Sequence, residues 1–105
     1  MKYSMDAIDK KFELYHELEQ KKNKIKEATF EAKSKKMALE LLPDSSAEYE
    51  KEKTQMFIAK RNLLETIREY DKKKEELQNH CSKNNLLPYY DLETGLYWIE
   101  FFCMN

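Results

Sequence analysis

The sequence predicts a mainly α protein: an antiparallel, coiled-coil-like hairpin of two helices, followed by a short C-terminal β-hairpin. Three observations predict it. Two long segments repeat apolar residues every seven positions. A break of only a few residues, at Pro43, separates them. The last twenty residues then change character and gather six of the thirteen aromatics.

Composition agrees with this reading. Charged residues make up 37% of the 105, and there are one Gly, two Pro and no Val. Such chains favour long helices. Thirteen aromatics (five Phe, seven Tyr and Trp98) argue against disorder, despite the charge content. The length fits a single small domain.

Helix 1 is expected over residues 4–42. Leu18, Ile25, Ala32 and Leu39 recur at heptad spacing, with Ile8, Phe12, Leu14, Ala28 and Leu42 near the same face. Lys21, Lys22, Lys35 and Lys36 interrupt that stripe. Pro43 cannot continue a helix, and Ser45 followed by Glu48 fits a capping box for the next one.

Helix 2 is expected over residues 46–83. Tyr49, Met56, Leu63, Tyr70 and Leu77 keep an unbroken heptad, flanked by Ala59, Leu64, Ile67 and Cys81. A short link between two long helices makes them antiparallel neighbours. Leu18, Ile25 and Leu39 are therefore expected to face Tyr70, Leu63 and Met56 or close neighbours. Asn84-Asn85 closes the helix.

Residues 86–105 carry Tyr89, Tyr90, Tyr97, Trp98, Phe101 and Phe102. Asp91 suits a turn backbone, and Gly95 suits a positive φ. The run from Leu96 to Phe102 is then a second strand. The stretch Tyr90-Asp91-Leu92-Glu93-Thr94-Gly95-Leu96-Tyr97 resembles the YD-x-ETG-x-Y turn of Rhs/YD-repeat proteins. That resemblance covers about a tenth of the chain, has Leu92 in place of the family's usual Pro, and implies hairpin geometry there. A helical hairpin with a β-hairpin is also similar in outline to prefoldin subunits. In those the strands lie between the helices, whereas here they follow both.

Several function classes are disfavoured. His16, His80, Cys81 and Cys103 lack the paired spacings of a zinc site, so neither metal nor cofactor is expected. No phosphate loop, nucleophile elbow or zincin motif is present, so the chain reads as non-enzymatic. The longest apolar run, 96–104, is too short to span a bilayer. Two cysteines and no apolar leader suggest a reducing, cytoplasmic setting.

Two binding readings remain. In the first, the module is an adaptor, inhibitor or assembly factor, of the size and composition expected for a phage or mobile-element accessory protein. The helical hairpin is its rigid arm. Its protein-binding grip is Tyr97, Trp98, Phe101 and Phe102, with Tyr89 and Tyr90. Strand alternation turns Leu96, Trp98, Glu100 and Phe102 outward, and Tyr97, Ile99 and Phe101 inward. Because a lone helical hairpin buries little, a homodimer is expected. The alternative is nucleic-acid binding through the Lys-rich middle: Lys21, Lys22, Lys24 and Lys26 on helix 1, with Lys72, Lys73 and Lys74 on helix 2. Seventeen of the 19 basic residues are Lys, which favours solvation over bidentate phosphate contacts.

Overall fold

The computed structural model describes residues 5–87 and 93–104 as three helices. The first, α1, runs Met5–Glu40, and the second, α2, runs Ala47–Lys83. They pack along their lengths in a body 68 × 19 × 14 Å. The seam buries Leu14, Leu18, Ile25 and Ala32 of α1 against Ala59, Leu63, Ile67, Tyr70, Leu77 and Cys81 of α2, and Leu39 is buried nearer the turn. These are the heptad residues together with their i±3 and i±4 neighbours, as coiled-coil packing requires.

The helices are antiparallel, and side-chain bonds fix their register. His80 Nε2 lies 2.8 Å from the Ala7 carbonyl, Lys73 Nζ donates to Glu17 Oε2 at 2.7 Å, and Lys21 Nζ donates to Glu69 Oε2 at 3.2 Å. Carried along both helices, this register sets Leu18 level with Tyr70 and Ile25 level with Leu63. Ala32, rather than Leu39, comes level with Met56, and Leu39 comes level with Tyr49. The expected Leu39–Met56 pairing is therefore corrected by one heptad. It would slide one helix seven residues along the other and put the midpoint of the turn inside the first turn of α2. Tyr49 and Met56 are only half-buried.

The turn is capped by Ser46, not Ser45. Ser46 takes extended φ/ψ of −80° and 150°, and its hydroxyl accepts the Tyr49 N–H at 3.0 Å while donating to the Pro43 carbonyl. At the other end of α2, Asn85 turns left-handed at φ 55°. Leu86 N–H then bonds the Cys81 carbonyl at 2.9 Å, and Asn85 N–H bonds that of Ser82. This is a Schellman closure, and it folds Leu86 back onto the core.

The C-terminal segment is not a β-hairpin. Glu93–Cys103 forms an 11-residue helix, α3, packed against α2. Gly95 lies inside it and has no positive φ. The physical reason is the period of burial. Tyr97, Trp98, Phe101 and Met104, at i, i+1, i+4 and i+7, all pack on the core, with Met104 buried. That set makes one face of a helix and both faces of a strand. A two-stranded ribbon would also leave edge amides without partners, whereas a helix satisfies its own. Aromatic β propensity is contextual and yields to this packing. The strand and turn expected around Tyr89, Tyr90, Asp91 and Leu92 lie outside the described residues.

The Glu17–Lys73 pair carries a pH prediction. The hydrogen bond from Lys73 holds the Glu17 carboxyl below the usual carboxylate range. The bond to Glu17, then the one to Glu76, holds the Lys73 ammonium above the usual lysine range. A carboxyl depressed by folding stabilises the fold above its unfolded pKa, and that stability is lost as pH falls through the folded value. A raised lysine stabilises below its unfolded pKa, and that stability is lost as pH rises through the folded value. Thermal stability is therefore expected to be flat near neutrality and to fall at both extremes. Glu17→Gln should make the acid limb shallower. An acid limb of unchanged slope in that variant would count against the pair.

Candidate protein-docking face

The helical hairpin has two unlike sides. One carries α3, and the other is a charged groove. On the charged side, Lys21, Lys24, Lys72 and Lys73 do come together, as the nucleic-acid reading expects. Glu17, Glu69 and Glu76 are interleaved with them. Lys73 pairs with both Glu17 and Glu76, Lys21 pairs with Glu69, and Lys22 pairs with Glu19 on its own helix. Lys26 is not part of that face. It lines a cavity on the α3 side. Two of the four gathered lysines, Lys21 and Lys73, are thus paired with carboxylates in place, which lowers the local positive field.

Further along the same side, a groove of about 520 Å³ runs between the helices, lined in part by Lys24, Glu27, Glu31, Lys35, Glu65 and Glu69. Among the described residues, no group of three or more His, Cys, Asp or Glu side chains could hold a metal ion. None of the helices is long and apolar enough to cross a membrane.

On the other side, α3 is fastened by three kinds of contact. Tyr97 meets Tyr70 edge to face, with ring centroids 5.6 Å apart and planes at 86°. Trp98 Nε1–H donates to Asp71 Oδ2 at 2.9 Å. Glu100 pairs with Lys33 of α1. Tyr70 itself is fully buried, and its hydroxyl finds no hydrogen-bond partner among the described residues. A hydroxyl left so is a local penalty, which the surrounding aromatic packing must offset.

These anchors decide which residues face outward. Trp98 is half-buried and tied to α2, which corrects the outward position that strand alternation gave it. Ile99, expected inward, is 60% exposed. Leu96 and Phe102 are each 62% exposed. Phe101 and Tyr97 pack inward. Phe102 stacks against Trp98 at 5.9 Å and 23°, and meets Phe101 at 5.4 Å and 68°, so its ring is held while its outer surface stays open. Beside α3, Phe30 is 74% exposed and borders a shallow cavity of about 250 Å³ with Ile25, Thr29, Lys33, Tyr97 and Glu100.

Of the six residues expected to form the grip, four lie on α3. Tyr97, Trp98 and Phe101 turn inward and position the helix, and Phe102 lies on the outer face. Tyr89 and Tyr90 lie outside the described residues. Sequence reasoning missed Ile99 and Phe30. A 3.6-residue count over 96–104 would have separated Leu96, Ile99 and Phe102 from Tyr97, Phe101 and Met104. Phe30 and Met37 keep a seven-residue spacing off the buried seam.

No family model, curated protein or solved structure matches the chain.

Proposed function

We propose that the chain is a non-enzymatic protein-binding module, an adaptor, inhibitor or assembly factor, that grips a protein partner with the outer face of α3. One observation carries this reading. Leu96, Ile99 and Phe102 are each at least 60% exposed on a helix whose opposite face is pinned by Tyr97, Trp98 and Phe101. Isolated exposed apolar residues are ordinary, but a contiguous strip on a small chain marks a contact surface. Because its anchors hold α3 in place, docking forfeits little conformational entropy. The long hairpin acts as a stiff support. A cytoplasmic setting suits this reading, since both cysteines are free thiols and Cys103 is exposed.

The nucleic-acid alternative draws on the gathering of Lys21, Lys24, Lys72 and Lys73, and the interleaved carboxylates weigh against it. One experiment separates the two. The tagged chain is used to retain partners from its native cell, alongside Phe102→Glu and the double variant Lys21→Glu/Lys72→Glu. The grip reading expects Phe102→Glu to lose at least tenfold in retention, and the lysine variant to match wild type at moderate salt. Retention that survives Phe102→Glu but disappears with the lysine changes or with nuclease treatment would favour nucleic acid.

A further inference from the structure

From the pattern of exposure along α3, we infer that the occupant of its outer face is a second copy of this chain, docked two-fold and antiparallel with Ile99 on the axis. This rests on the α3 grip proposed above and names its partner.

Within residues 95–104 of α3 and its C-terminal flank, the exposed positions are Gly95, Leu96, Ile99, Phe102 and Cys103. This set is symmetric about Ile99: Leu96 and Phe102 stand three residues to either side, and Gly95 and Cys103 stand four. A two-fold interface requires such self-complementarity, since the same patch must serve both copies. Reversing one helix about Ile99 sets large residues against small ones. Phe102 falls beside Gly95 of the second copy, and Leu96 falls beside Cys103 of the second copy.

Gly95 has open space where a Cβ would stand: beyond its chain neighbours and the backbone of its own helix, no atom of the described residues comes within 4 Å. It is therefore free to receive the neighbouring ring. Charge does not oppose the approach. Glu100, the acidic residue in this stretch, is turned to Lys33 on α1. Among the described residues, a partner helix of alternating charge would find nothing to pair with on this face, whereas an identical apolar face matches it.

Size is consistent with a reversible dimer. Leu96, Ile99 and Phe102, with Phe30 alongside, offer on the order of 500 Å² per copy, at the low end for specific interfaces, which implies association in the micromolar range.

The test combines sedimentation with thiol crosslinking of the full chain. Wild type should pass from monomer to dimer between about 1 and 100 µM, on the affinity scale of so small an interface. Ile99→Glu, which sets two carboxylates across the axis, should raise the dissociation constant at least tenfold without moving the melting temperature. Leu96→Cys should form a covalent dimer under mild oxidation, because its thiol falls beside Cys103 of the second copy. Within one helix those two positions are about 10 Å apart along the axis, so they cannot bridge internally. Wild type should resist crosslinking, because the two Cys103 residues lie about 12 Å apart along the axis in this arrangement. Cys81 is buried and takes no part.

A wild-type chain that remains monomeric at 100 µM overturns the inference, as does Leu96→Cys crosslinking no faster than wild type. If the chain is monomeric while Phe102→Glu still abolishes partner retention, the grip stands and only the second copy falls. If retention too is indifferent to Phe102→Glu, the grip falls with it.

Discussion

Leu63→Ala will lower the unfolding free energy by about 2–5 kcal/mol, the range for a buried Leu truncation that leaves a cavity. Leu63 is 1% exposed and sits in the middle of the seam, level with Ile25 and among Ala59, Ile67 and Tyr70. A long two-helix seam is only one or two side chains thick, so neighbours collapse poorly into the space left by one of them. A domain of this size has a total stability of about 5–15 kcal/mol, so the loss is a large fraction of it. Urea unfolding followed by circular dichroism will show a lower midpoint with an unchanged slope. An unfolding free energy within about 0.5 kcal/mol of wild type, the scatter of ordinary surface changes, would mean that Leu63 is not in the seam.

Trp98→Ala will undock α3, at about 2–4 kcal/mol for a large aromatic that is half rather than fully buried. The change removes the Nε1–H bond to Asp71, the stacking on Phe102 and the edge contact with Phe101 together. The amides of residues 97–103 should then exchange hydrogen at nearly unprotected rates, while those of 14–32 and 59–81 keep their protection. Trp98→Ala should also weaken partner binding, but indirectly, because Phe102 loses the surface that holds its ring. Phe102→Ala provides the contrast, weakening binding with little effect on the melting temperature. Equal protection of α3 in Trp98→Ala and wild type would show that Trp98 is not its anchor.

The helical hairpin was legible in the sequence because its cause is periodic. Leu18, Ile25 and Ala32 on one side, and Leu63, Tyr70 and Leu77 on the other, repeat over enough turns that no strand could bury them together. Pro43 supplied the stop. The cap slipped from Ser45 to Ser46 because both serines can supply the hydroxyl. The turn geometry chooses between them, through the bond from Ser46 to the Pro43 carbonyl.

The helical state of the C-terminal segment is not legible in the sequence, for an equally physical reason. Over the seven residues from Leu96 to Phe102, six are apolar, so periods of 2 and 3.6 fit almost equally well. Turn chemistry at Asp91 and Gly95 then tipped the reading to a hairpin. What decides the matter lies outside the segment: the groove against α2, the Tyr70 ring, the Asp71 carboxylate and Lys33. None of these is adjacent in sequence. Relative to the strand alternation expected there, the faces of this segment are partly exchanged, Trp98 turning in and Ile99 turning out. The basic patch was half legible. The antiparallel register brings Lys21 and Lys73 to one face, but it also delivers Glu17, Glu69 and Glu76 between them.

The central claim is that α3 presents Leu96, Ile99 and Phe102 for docking while Tyr97, Trp98 and Phe101 hold it in place. Covalent footprinting with a small radical or carbene label, read residue by residue, tests it most directly. In the free, dilute chain, labelling should be strong at Leu96, Ile99 and Phe102 and weak at Phe101 and Met104. In the bound state, labelling of those first three should fall several-fold, while the charged faces bearing Lys21, Lys24, Lys72 and Lys73 stay as reactive as before. Unchanged labelling of Ile99 and Phe102 on binding, with protection appearing along the lysine faces, would contradict the account.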